Sequence, residues 1–113
     1  MKSIQEIRTW EELEKLVSTE LTVFVFKHST QCPISSRALA EFHKFADKNP
    51  SCALAYIDVI ANRSVSNAFA GHHHVIHESP QAILLAGGKV SWHKSHREIT
   101  ESNLEKAMRE SEI

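Results

Sequence analysis

Leu21-Thr22-Val23-Phe24-Val25-Phe26-Lys27-His28-Ser29-Thr30-Gln31-Cys32-Pro33-Ile34-Ser35 decides how this chain is read. Its first six residues are rich in β-branched and aromatic side chains and place apolar groups on both faces of a strand. Such a strand is covered on both sides, as in a parallel or mixed sheet. A polar loop from Lys27 to Gln31 follows, then a helix with Pro33 in its first turn, a position that suits proline. That helix carries Ile34, Ala38, Phe42, Phe45 and Ala46 along its inner face and ends at Asn49-Pro50. Ala53 to Val59 is a second apolar run in which Asp58 is the only charge. Strand, helix and strand from Leu21 to Val59 form a βαβ unit, a connection that is right-handed in nearly all proteins.

Upstream, Thr9-Trp10-Glu11-Glu12 is a capping box, in which Thr9 and Glu12 each satisfy an orphan N–H of the other. Trp10, Leu13, Leu16 and Val17 mark one face of the helix it opens, which runs to about Ser18. Downstream, Val65, Ala68 and Phe69 face inward from a short helix that Gly71 is expected to stop. Ala82-Ile83-Leu84-Leu85, a Gly87-Gly88 turn and the alternating Val90-Ser91-Trp92 read as a hairpin. Thr100 caps a last helix with Leu104, Ala107 and Met108 inward. The expected fold is α/β, a central mixed sheet flanked by helices in the order α-β-α-β-α-β-β-α, with residues 1–113 as one domain. Ile4 and Ile7 leave a further edge strand open.

The composition narrows what such a domain can do. Of 113 residues, 42% are hydrophobic, and 13 basic side chains face 14 acidic ones. A formal net charge of −1 supplies no field to draw nucleic acid or an anionic membrane. The N-terminus lacks the apolar core of a secretory signal, and no stretch approaches the ~20 apolar residues of a membrane span. The expectation is a cytoplasmic protein, where thiols stay reduced unless they are used. Two cysteines, Cys32 and Cys52, are too few for a disulfide scaffold or a four-thiolate zinc site.

Cys32 is the reactive candidate. It stands where a sheet strand has ended and a helix begins, where unpaired N–H groups and the helix dipole favour a thiolate over a thiol. Ser35 lies over the same turn and can donate a hydrogen bond to the sulfur. Thr30, Ser29 and His28 are further donors nearby, and Pro33 helps to set the helix start. Cys52 begins an apolar strand beside Ala53 and Leu54 and reads as a small core residue.

Cys32-Pro33-Ile34-Ser35, after a buried strand and at a helix start, resembles the one-cysteine form of the thioredoxin superfamily, C-x-x-S. Glu78-Ser79-Pro80 sits where thioredoxin-like proteins carry a cis-proline opposite the thiol, so that the Ser79 backbone would pair with substrate. Lys27 to Ser35 together with His77-Glu78-Ser79-Pro80-Gln81 resembles the YtxJ-type monothiol bacilliredoxins over nearly the whole chain. The resemblance implies a thioredoxin-like fold and a thiol–disulfide exchanger with no bound cofactor. Its co-substrate would be bacillithiol, a thiol built from cysteine, glucosamine and malate. Cys32 would take bacillithiol from S-bacillithiolated client proteins, and a second bacillithiol would free it as bacillithiol disulfide for a flavoprotein reductase. The acid that thioredoxins place six residues before the nucleophile is Phe26 here, their second cysteine is Ser35, and their preceding Trp is Gln31. The first two departures accompany a monothiol mechanism, and the third bears on how a partner docks.

Several residues have two readings. His77 can contact the thiol site or pack the loop. Lys27, His28 and Arg37 can pair with the malyl carboxylates of bacillithiol or remain solvated charge. His72-His73-His74 reads as a polar loop rather than a metal site, because its spacing matches no common zinc pattern. Two other functions compete: an iron–sulfur carrier like the monothiol glutaredoxins, whose motif is C-G-F-S rather than C-P-I-S, and a catalytically silent adaptor that binds partners through the Pro80 surface.

Overall fold

The computed structural model describes residues 4–31 and 33–111. Five strands form one sheet in the order β1-β3-β2-β4-β5, where β1 is Gln5–Glu6, β2 Thr22–His28, β3 Ala53–Asp58, β4 Gln81–Ala86 and β5 Lys89–Ser95. β1, β3 and β2 run parallel, and β4 and β5 are antiparallel, so the sheet is mixed. Four helices flank it: α1 (Trp10–Thr19), α2 (Pro33–Lys48), α3 (Arg63–His73) and α4 (Glu101–Ser111).

β2 occupies the middle of the sheet, and residues 23 to 28 are all buried. Alternation along a strand sends successive side chains to opposite faces. Val23 and Val25 therefore join Leu13, Ile57, Val65, Phe69 and Ile83 beneath α1 and α3. Phe24 and Phe26 join Phe42, Phe45, Leu84 and Leu104 beneath α2 and α4. Phe26 stacks on Phe42 with 5.1 Å between ring centroids, and Phe24 meets Phe45 edge-on at 5.0 Å.

The local signals act as the residue chemistry dictates. Thr9 is extended, its hydroxyl accepts the Glu12 N–H at 3.2 Å, and the Glu12 carboxylate accepts the Thr9 N–H at 3.1 Å. Gly87 and Gly88 have φ of 58° and 79°, the two left-handed positions that a tight hairpin turn demands. Ser91 is an extra residue in β5, since Leu84 faces Trp92 while Leu85 faces Val90. Thr100 caps α4 by accepting the Asn103 N–H at 3.1 Å. No helix among the described residues is long and apolar enough to cross a membrane.

The structure departs from the sequence reading at three places. An edge strand does precede α1: Gln5 and Glu6 pair with Ala55 and Tyr56, and the Ile7 N–H donates to the Tyr56 carbonyl at 2.8 Å. Gly71 does not stop α3, which continues to His73 and ends on His74 in the left-handed conformation at φ 55°. His72 and His73 are thus helical, and the expectation of a loop there is corrected. Ala68 is exposed, and Ser66 is buried in its stead with Val65 and Phe69. At 100° per residue the buried arc runs from Val65 to Ser66 through Phe69, which leaves Ala68 beyond its edge.

Phe42→Ala removes a fully buried ring from this arrangement. It should lower the unfolding free energy by ~3–5 kcal/mol in urea titration. Thr9→Ala, which removes only the cap, should cost ~1 kcal/mol. Comparable losses would contradict the packing described.

Candidate active site

Cys32 lies outside the described residues, so the site is built from its chain neighbours Gln31 and Pro33 and the groups they adjoin. α2 begins at Pro33, directly after Cys32 in the chain. The Ser79–Pro80 peptide is cis. Pro80 is buried just ahead of β4, and its carbonyl accepts the His96 N–H at 3.0 Å.

Ser35 is completely buried in the first turns of α2. Its Oγ accepts the Ser29 N–H at 3.0 Å and lies 3.0 Å from His28 Nδ1. A hydroxyl has one proton, so the His28 tautomer decides where that proton goes. With Nδ1 bare, Ser35 donates to the ring; with Nδ1 protonated, Ser35 accepts and its own O–H is free for another acceptor. His28 is itself buried, lies against Phe26 and Tyr56, and has its pKa lowered chiefly by that burial.

Lys27 faces the opposite side of the sheet and is completely buried. Its Nζ donates to the Ser66 carbonyl at 3.1 Å, lies 3.4 Å from His77 Nδ1, and stands 5.0 Å from the Phe69 ring centroid. Ser66 Oγ is also 3.3 Å from His77 Nδ1. Burial lowers the Lys27 pKa to about 8. An ammonium is only a donor, so His77 Nδ1 is the acceptor and its Nε2 bears the proton. Burial and the Lys27 charge both lower the His77 pKa, in keeping with a neutral ring. This cluster ties β2, α3 and the segment leading to Pro80 together.

Two clefts open beside these groups. One, of about 310 Å³, is lined by Ser29, Gln31, Arg63, Asn67, His77 and Ser79 among others. The second, of about 530 Å³, lies between α2 and the β5–α4 link and includes Pro33, Ile34, Arg37, Ala38, Arg97 and Ile99.

Comparison with known proteins now adds to this geometry. A family model described as monothiol bacilliredoxin BrxC matches residues 5–104. The chain belongs to the monothiol bacilliredoxin family. A solved structure described as a candidate oxidoreductase with a thioredoxin fold is 32% identical, covers 93% of each chain and superposes with a TM-score of 0.89. Thioredoxin from Fasciola hepatica is 17% identical, with coverage of 96% of this chain and 99% of that one and a TM-score of 0.80. Thioredoxin from Trypanosoma brucei brucei is 16% identical, with coverage of 96% and 89% and a TM-score of 0.80. The last two establish the thioredoxin fold, and the family makes the chain a monothiol redox protein of the thiol–disulfide oxidoreductase kind.

The bacilliredoxin site differs from its sequence reading in how it distributes the basic residues. Lys27 and His28 are adjacent in sequence but lie under α3 and α2 respectively, because strand neighbours face opposite ways. Lys27 is enclosed with its ammonium bonded internally, and His28 is buried against Ser35, so neither stands as a surface contact for a carboxylate. Arg37 is exposed and lines the larger cleft. Thr30 is exposed in the loop, and the Ser29 hydroxyl accepts the Gln31 N–H at 3.4 Å. Asp58 Oδ1 accepts the Ile60 and Ala61 N–H groups at 2.9 and 3.0 Å and so shapes the turn into α3.

Trp10 packs against His72 and His73, and Phe69 against His73, which gives these rings structural neighbours. Half-buried Cys52 packs against the α2–α4 core, with its Sγ 3.3 Å from Met108 Sδ. Sequence reasoning missed Ser66 and Arg63, which become site residues only through the packing of α3. A signal for the buried cluster did exist: Lys27 directly follows the apolar run Val23–Phe26 within β2.

The Lys27 ammonium is less stable in the fold than in the unfolded chain, where its pKa is ~10.4. Folding therefore expels a proton between about pH 8 and pH 10, and stability rises with pH across that window. Lys27→Met should abolish the rise. Urea titrations at about pH 7 and about pH 9.5 should show the wild type gaining ~2 kcal/mol relative to the variant. Parallel pH dependences would contradict a buried ammonium.

Proposed function

We propose that the protein removes bacillithiol from S-bacillithiolated client proteins in a reducing cytoplasm, through a mixed disulfide on Cys32. The observation that carries this reading is the family match over residues 5–104, taken with a buried serine, Ser35, where dithiol relatives of this fold carry their second cysteine. A monothiol enzyme needs an outside thiol to complete its cycle. In the first step the Cys32 thiolate bonds to the bacillithiol sulfur of the client disulfide. The bond to the client sulfur breaks, and the electron pair leaves with the client as thiolate. In the second step a bacillithiol thiolate attacks the bacillithiol sulfur on Cys32 and releases the Cys32 thiolate with bacillithiol disulfide. A flavoprotein reductase returns that disulfide to the thiol pool.

Within this scheme the N-terminal turn of α2 favours the Cys32 thiolate, and Ser35 donates to it when His28 holds its proton on Nδ1. Thr30 and Pro33 shape the loop and helix start around the sulfur. The Ser79 backbone, ahead of the cis-proline, pairs with the client as a short strand, and His77 holds that loop.

Intact-mass measurement tests the function directly. Reduced wild type mixed with a bacillithiolated client should gain one bacillithiol while the client loses it, and Cys32→Ala should gain none. No gain on wild type, or an equal gain on Cys32→Ala, would overturn the proposal. The role of Ser35 is read from the pH dependence of Cys32 alkylation. Ser35→Ala should move the midpoint up by about one unit towards the ordinary thiol value of ~8.5. An unmoved midpoint would confine Ser35 to holding the Ser29 loop.

A further inference from the structure

The two chain neighbours of Cys32 line different clefts: Gln31 the smaller one and Pro33 the larger. The cis-proline segment reaches the smaller cleft directly and the larger one only through a hydrogen-bonded neighbour. Ser79 lines the smaller cleft, whereas His96, whose N–H is bonded to the Pro80 carbonyl, lines the larger. Thiol–disulfide exchange brings three sulfurs close to a line, with entering and leaving groups on opposite sides of the central atom. Here the central atom is the bacillithiol sulfur, so bacillithiol and client both lie beyond Cys32 and each needs its own receptacle near it; the linings of the two clefts differ in chemistry.

The smaller cleft offers hydroxyl, amide and imidazole groups from Ser29, Gln31, Asn67, His77 and Ser79, with the guanidinium of Arg63 as its exposed cation. No carboxylate lines it among the described residues. Ser79 Oγ is buried there without a hydrogen-bond partner among those residues, although buried polar groups are nearly always satisfied. His77 has Nδ1 occupied by the Lys27 ammonium, which leaves Nε2–H as a fixed donor. Arg63 forms no ion pair with the described residues. At about 310 Å³ the cleft falls at the small end of the ~300–1,000 Å³ typical of small-molecule sites. The larger cleft mixes Ile34, Ala38 and Ile99 with its arginines, a surface suited to a polypeptide.

We infer that the smaller, polar cleft is the subsite for the sugar and malyl portion of the low-molecular-weight thiol, with Arg63 pairing with a malyl carboxylate. The larger cleft is thereby left to the client. This rests on the de-bacillithiolation reading, and it adds a specificity residue that the thiol motif does not contain. Arg63 opens α3, and the bonds of buried Lys27 to the Ser66 carbonyl and to His77 fix the position of that helix relative to the Pro80 segment. A carboxylate bound at Arg63 would therefore meet a cation carried on a helix start of set position.

The test compares two probe disulfides, bacillithiol disulfide and the uncharged hydroxyethyl disulfide, by the rate at which each forms a mixed disulfide with reduced Cys32. In the first reaction one bacillithiol bonds to Cys32 and the other leaves as thiolate; the second runs likewise with mercaptoethanol. The ratio of the two rates should fall about 10-fold in Arg63→Ala, fall further in Arg63→Glu and recover largely in Arg63→Lys. An unchanged ratio in Arg63→Ala and Arg63→Glu would overturn the inference while leaving the proposed function intact. A wild type that takes up mercaptoethanol from its disulfide but no bacillithiol from a client would overturn the function itself.

Discussion

The enclosure of β2 is the constraint on which the rest depends. β2 is paired along both edges, by β3 and β4, and its residues 23 to 28 are buried. Two helical layers can share one sheet because its central strand supplies apolar groups to each in turn. Burial of apolar area is favourable by about 25 cal/mol for each Å² removed from water, and the central strand feeds both layers. It also fixes where β2 must end, since the strand stops when its residues must turn to solvent. The thiol loop leaves from that end, and α2 starts after it at Pro33. Open α/β sheets place their ligands at such strand ends for the same reason.

Lys27 and His28 form the transition between this core and the loop. Both are buried polar groups, and each is admitted only because it finds partners. Lys27 spends its ammonium on the Ser66 carbonyl, His77 and the face of Phe69, while His28 meets Ser35. One pair of adjacent residues thereby anchors α3 on one face of the sheet and the start of α2 on the other. Replacing the buried acid of dithiol relatives with Phe26 is consistent with this plan. Phe26 stacks on Phe42 and leaves the polar work of the site to the residues nearer the loop.

A monothiol enzyme must accommodate a second thiol from solution, which a dithiol enzyme provides internally. Ser35 occupies the position of that second thiol and is committed to the Ser29 N–H and His28. The requirement for an outside partner moves from the motif to the surface around it. The two clefts that the chain neighbours of Cys32 line, one through Gln31 and one through Pro33, are the surfaces on which such partners would be received.

Local chemistry sufficed to read most of the architecture. The capping box at Thr9, the apolar run from Leu21 to Phe26, the Gly87-Gly88 turn and the cap at Thr100 each act through residues a few positions apart, so sequence alone determined them. The same holds for the C-x-x-S motif and for Ser79-Pro80, whose residue types and order carry the family resemblance. The two-residue β1 escaped because its strand character comes from pairing with Ala55 and Tyr56, not from its own polar residues. The end of α3 escaped because His74, a non-glycine, adopts the left-handed cap while Gly71 stays helical. Only the tertiary structure brought Lys27, Ser66 and His77 together. Their meeting depends on which face of β2 each side chain takes and on how α3 lies across it, and alternation in a strand separates neighbours that a sequence places side by side.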